Sequence, residues 1–140
     1  MALPVLVWTG TFFYWHITIK REIREIESET PGVLSRATFI MISGGCRSIP
    51  YLIDVLESSR HPMLLDTAIA QIPIEVQLGG GPKSNEDGVE LMQLLNQYPF
   101  TPNDTPEVRR ANFQHVLAWW KASGLKYHQW WRVWSSNCAK

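Results

Sequence analysis

The sequence predicts a mainly α protein, in which an apolar N-terminal helix leads into a small stack of antiparallel helices. Three observations carry this expectation. Between Arg36 and Ile72 apolar residues recur in steps of three and four: Ala37, Ile40 and Met41, then Ile49, Leu52, Ile53 and Leu56, then Leu65, Ala68, Ile69 and Ile72. That spacing lays an apolar stripe along one helix face. Helix stops separate the stripes: Gly44-Gly45 can end a helix in a left-handed conformation, and His61, before Pro62, is pushed out of helical space. Finally, Leu3 to Ile19 contains no lysine, arginine, aspartate or glutamate. Short helices with one apolar face must pack on a neighbour to hide it. Such a module suits holding partners better than transforming them.

A chain of 140 residues is one domain's worth of folded protein. The same reading divides it into an apolar anchor helix with a charged extension over 1–29, a helical domain over 30–124, and a basic, tryptophan-rich tail over 125–140. Lysine plus arginine equals aspartate plus glutamate, at 13 each, so bulk charge selects no polyanionic partner. The distribution is uneven. Acids dominate from Cys46 to Phe100, whereas Arg109, Arg110, Lys121, Lys126, Arg132 and Lys140 face only Glu107 from Pro106 onward. That basic end suits phosphate headgroups or an acidic partner surface.

The N-terminal run LPVLVWTGTFFYWHITI is followed at once by KREIREIE. A cleaved secretory signal is disfavoured, because no basic region precedes the run and no A-x-A site ends it. The expectation is a membrane-spanning or membrane-embedded helix, close to the lower length limit for a hydrocarbon core of about 30 Å. Trp8, Tyr14 and Trp15 suit headgroup depth. Lys20, Arg21 and Arg24 supply flanking positive charge, which places the helical domain on the cytoplasmic side. The competing reading is a β-hairpin of Val5–Trp8 and Thr11–Ile19 turning at Thr9-Gly10, since both runs are rich in β-branched and aromatic residues. His16 is a candidate ligand for a haem or chlorophyll-type metal. It has no second ligand nearby and equally suits an interface histidine, so no cofactor is expected.

In the body, Thr30-Pro31, Ser48 with Pro50, and Thr105-Pro106 are helix starts that pair a capping residue with proline in the first turn. From Pro73 the chain reads PIEVQLGGGPKSN, a long loop, and Gly79-Gly80-Gly81 lacks the GK[ST] ending of a phosphate cradle. Asp87 to Tyr98 predicts a short helix with Val89, Met92 and Leu95 on one face. Pro106 to Ser123 predicts the longest clear helix, with Phe113, Val116, Leu117 and Trp120 as its stripe. LKYHQWWRVW predicts a last short helix presenting Trp130, Trp131 and Trp134.

Residues 36–72, through Ala37, Gly44-Gly45, the SIPYLIDVL run and Leu65, Ala68 and Ile69, resemble a HEAT-like repeat of the short bacterial type, also found in phycobilisome-lyase proteins. The later segment LMQLLNQYPFTPNDTPEVRRANFQHVLAWWKASG is similar to the C-terminal part of some bacterial HEAT-like proteins. The resemblance covers about half the chain and only scaffold positions. It implies a stack of antiparallel helices for protein–protein contact, and no pigment-lyase activity. A single clear repeat exposes apolar ends that a partner, the N-terminal segment or the tail must cover.

No catalytic residue is expected. His115 and His128 have no carboxylate or second histidine at i+3 or i+4, His61 is read as a surface or hydrogen-bonded histidine, no serine sits in a G-x-S-x-G elbow, and Cys46 and Cys138 share no CxxC motif. The expected role is a non-catalytic accessory or scaffolding subunit of a larger membrane assembly, photosynthetic or respiratory. Trp8, Tyr14, Trp15, Lys20 and Arg21 would meet the bilayer, and Trp130, Trp131, Arg132 and Trp134 would dock onto other subunits or the membrane surface. Nucleic acid is not an expected partner. The alternatives are a soluble adaptor with an N-terminal hairpin, and a small enzyme whose site gathers His115, His128 and Cys46.

Overall fold

In a computed structural model, which describes residues 2–28, 45–79 and 81–127, the chain folds as five α-helices, with no strand among the described residues. They are α1 (Ala2–Ser28), α2 (Ile49–Ser58), α3 (Pro62–Leu78), α4 (Ser84–Gln97) and α5 (Pro106–Trp119). A 3-10 turn (Gly45–Ser48) feeds α2, and a π turn (Trp120–Gly124) and a 3-10 turn (Leu125–Tyr127) follow α5. The mainly α expectation holds. The hairpin does not, because Val5–Trp8 and Thr11–Ile19 lie within one uninterrupted helix of 27 residues.

The described breaks fall where the sequence puts them, while the helix expected from Thr30-Pro31 to Gly44 lies outside the described residues. Gly45 has φ 61°, the left-handed region glycine enters without strain. His61 is extended, at φ −77° and ψ 120°, and Pro62 opens α3. Thr105 caps α5, its hydroxyl accepting from the Val108 N–H at 3.3 Å. Ser48 behaves differently: it holds helical dihedrals and makes no capping bond to α2, since the 3-10 turn runs straight into the helix.

Two elements depart from expectation. The loop expected after Ile72 starts later, because α3 continues through Pro73 to Leu78 and the next helix begins at Ser84. A proline inside a helix forfeits one backbone hydrogen bond. Here Ile72, Pro73 and Val76 are all buried, so the packing of that turn outweighs the loss. In α4 the inward stripe is Ser84, Gly88, Leu91 and Leu95, not Val89 and Met92, and Met92 is 45% exposed. Its core positions therefore begin with a hydroxyl and a bare backbone.

The core runs through the body from Ile49, Leu52 and Leu56 to Leu65, Ala68 and Ile72, then Leu91, Leu95, Phe113 and Val116. α3 shares its broadest interface with α4, and α2 pairs with α3 as a helical hairpin. Trp119 and Trp120 are both buried there, as helix packing requires. From α1 only the C-terminal half joins the core, through Ile26 with Ile23 beside it.

Candidate interaction surface

α1 is about 40 Å long at 1.5 Å per residue, and its two ends have different chemistry. One stripe, at spacings of three and four, runs Trp8, Phe12, Trp15, Ile19, Ile23, Ile26. Its lower part is buried, with Ile19 and Ile26 fully inaccessible. Its upper part is an aromatic ladder. Trp8 stacks on Phe12 at 5.8 Å, and Phe12 stacks on His16 at 6.1 Å. His16 Nδ1 then lies 2.7 Å from the Tyr51 hydroxyl of α2. Beside it, the Arg47 guanidinium sits 4.9 Å above the Trp15 ring. These contacts join the N-terminal half of α1 to α2 and to the turn before it.

The opposite face of the same half is apolar and uncovered. Leu6 is 66% exposed, Phe13 55% and Ile17 61%, with Val5, Val7 and Tyr14 also open to solvent. At Gly10, within this face, an added Cβ would meet nothing within 4 Å. The exposed apolar band stops at Ile17, and exposed Lys20, Arg21 and Arg24 follow. Arg21 is held by Glu22 at 2.8 Å and Glu25 at 3.7 Å.

Between the charged half of α1 and α2 lies a cleft of about 260 Å³. α1 contributes Lys20, Ile23, Arg24 and Glu27, and α2 contributes Tyr51, Asp54, Val55 and Ser58. Burial pushes the Asp54 carboxyl up from its ordinary value, against the pull of Lys20. Burial, with Asp54 second, pushes the Tyr51 phenol up.

Elsewhere the polar clusters tie elements together. Buried Arg109 on α5 donates from Nη1 to the Leu56 carbonyl at 3.1 Å and the Ser59 carbonyl at 2.6 Å, and from Nη2 to the Thr101 carbonyl at 2.5 Å. It thus caps the C-terminal carbonyls of α2, which a helix end leaves without intrahelical donors. Asp104 accepts from the Thr101 N–H at 2.7 Å and its hydroxyl at 2.6 Å. Burial raises the Asp104 carboxyl, but these bonds, with Arg109 and Arg60, outweigh it and hold it below the usual range. Tyr127 donates to Asp87 at 2.6 Å, and Lys126 pairs with the same carboxylate.

The expected site residues divide cleanly. Trp8 and Trp15 belong to the half-buried ladder side, while Tyr14 lies exposed and edge-on to Trp15 at 5.7 Å. Lys20 lines the cleft and Arg21 stands at its rim in ion pairs. His16 is engaged by Tyr51, and no group of metal-ligating residues occurs among the described residues. Trp130, Trp131, Arg132 and Trp134, with His128 and Cys138, lie outside the described residues. Cys46 is disulfide-bonded, so the thiolate of the scattered-site alternative is not available in this state. His115 stacks flat on Tyr98 at 3.7 Å on the surface of α5. Arg109, read as surface charge for a partner, instead serves carbonyls inside the protein, and exposed Lys126 pairs with Asp87.

Tyr51, Asp54 and Glu27 were not singled out from the sequence. The signal available was the i,i+3 and i,i+4 spacing of Tyr51, Asp54, Val55 and Ser58 on one face of α2. Periodicity tells which residues share a face, but not which other helix that face meets.

The spanning-helix expectation gains no support: no helix among the described residues is long and apolar enough to cross a membrane. Thr9, Thr11, His16 and Thr18 dilute the run, and Thr9 and Thr11 turn their hydroxyls back onto the Val5 and Val7 carbonyls. No family model matches the chain, and neither a curated protein nor a solved structure matches it.

Proposed function

We propose that this protein is a non-catalytic accessory or scaffolding subunit that docks onto a membrane assembly through the N-terminal half of α1. The observation that supports the reading is the open apolar face Leu6, Phe13 and Ile17 on the N-terminal half of α1, whose other face carries the aromatic ladder and meets α2 through His16 and Tyr51. Contiguous exposed apolar surface of this kind marks interaction sites. From Val5 to Ile17 the helix rises about 20 Å, less than a hydrocarbon core of about 30 Å. The tip therefore enters the apolar layer without crossing it, and Lys20, Arg21 and Arg24 stop it at headgroup depth. The α2–α3 helical hairpin suits a small HEAT-like body offering a face to an extrinsic partner, with the tryptophan-rich tail as a second contact.

Flotation of the full chain with phospholipid vesicles tests this. The wild type floats, and the double variant L6E/F13E stays at the bottom with unchanged melting temperature, because neither side chain belongs to the core. Equal flotation of the two proteins, or no flotation of the wild type, overturns the reading.

A further inference from the structure

The cleft between α1 and α2 holds two cations and two carboxylates in one small space. Lys20 and Arg24 stand one turn apart on α1, with Glu27 a turn further on, and Asp54 faces them from α2. None of the four closes an ion pair with another among the described residues. Ile23 and Val55 add apolar lining. A purely anionic ligand would meet both carboxylates here, and a purely cationic one both cations. A ligand carrying both charges satisfies the set. We propose that this cleft binds a phosphodiester bearing a primary ammonium group, the headgroup of a phosphoethanolamine lipid.

In this arrangement the phosphate lies against Lys20 and Arg24, which form charge-assisted hydrogen bonds to its oxygens. The ammonium donates to Asp54 and Glu27. Ile23 and Val55 take the glycerol end of the lipid. A quaternary ammonium fits less well, since it donates no hydrogen bond and needs aromatic walls, whereas Tyr51 is the one aromatic lining the cleft among the described residues. The inference rests on the reading of α1 as a docking helix, because the cleft opens directly below the apolar tip, at the depth where headgroups lie.

The test uses the full chain with vesicles of phosphatidylcholine alone, with added phosphatidylethanolamine, and with added phosphatidylglycerol, alongside titration with free glycerophosphoethanolamine. The expected result is about tenfold tighter binding on adding phosphatidylethanolamine and no comparable gain from phosphatidylglycerol. The exposed variants K20Q/R24Q and E27Q/D54N each erase that gain; E27Q/D54N keeps the binding to phosphatidylcholine, whereas K20Q/R24Q, which also removes docking cations, weakens it. Equal binding to all vesicles, or a gain that survives both variants, overturns the inference and leaves the docking reading standing. Binding of glycerophosphoethanolamine without any vesicle binding upholds the cleft's ligand chemistry and overturns the membrane source. Binding to neither overturns both.

Discussion

Arg109 belongs to the basic stretch that follows Pro106, yet only 3% of it is exposed and its guanidinium closes three carbonyls from two separate segments. Replacing it with methionine keeps the volume and strands those acceptors. Loss of such a buried charged donor costs about 3 kcal/mol, to be read as a fall in the urea midpoint at constant slope. Tyr127 supplies a pH dependence. Burial, followed by its bond to Asp87, pushes its phenol up from 10.0 to about 12. A raised folded value means the protonated phenol is favoured in the native state. Its contribution is complete below pH 10 and disappears as the pH climbs to about 12. Wild type should therefore lose more stability than Y127F across that interval in denaturant titrations. For Asp87 the sign is opposite. Burial raises its carboxyl, bonds from Lys126 and Tyr127 outweigh this, and the net shift is downward. Its contribution is present above the ordinary carboxylate value and fades as the pH falls through the lowered one.

Among the elements, the α3–α4 interface is the most demanding. A Cβ at Gly88 would lie 2.2 Å from Gln77 Cγ and 2.8 Å from the Pro73 carbonyl oxygen. The oxygen is backbone and cannot step aside, so G88A forces the helices apart at a cost of about 2 kcal/mol, as overpacking usually does. Gly10 makes the contrasting case. Nothing approaches its Cβ position, and alanine there should firm α1 by about 1 kcal/mol through helix propensity alone, measurable as a rise in helical circular dichroism. These elements also show what the sequence discloses. The stripes at Ile49–Leu56 and Leu65–Ile72, the left-handed Gly45, and the Thr105-Pro106 start were legible because local spacing and dihedral preference set them. The passage of α3 through Pro73 was not, since burial against α4 decides it. Nor was the α4 face, where Gly88 turns inward because the approach of α3 leaves no room for a side chain. α1 itself was legible as an apolar helix, but its pairing with α2 through His16 and Tyr51 joins positions 35 apart and leaves no periodic trace.

At the scale of the whole molecule, the apolar surface is partitioned between a closed body and an open tip. The body buries most of its aliphatic stripes and leaves Ile74, Leu78, Met92 and Val108 exposed, while the tip leaves Leu6, Phe13 and Ile17 in contact with solvent. Burying those three side chains in an apolar phase is worth about 1.5–3 kcal/mol for each when complete. That gain suits reversible docking, and the cations at Lys20, Arg21 and Arg24 add an ionic-strength dependence to it. Raising the salt should therefore weaken vesicle binding without abolishing it, which flotation across a salt series would measure. The most direct test of the apolar tip is amide hydrogen exchange over Val5–Ile17 with and without phospholipid vesicles. The account predicts slowed exchange in that segment alone when vesicles are added, with Leu52–Leu56 in the body unchanged. Exchange at Val5–Ile17 that is indifferent to vesicles, or that slows equally throughout the body, would contradict it.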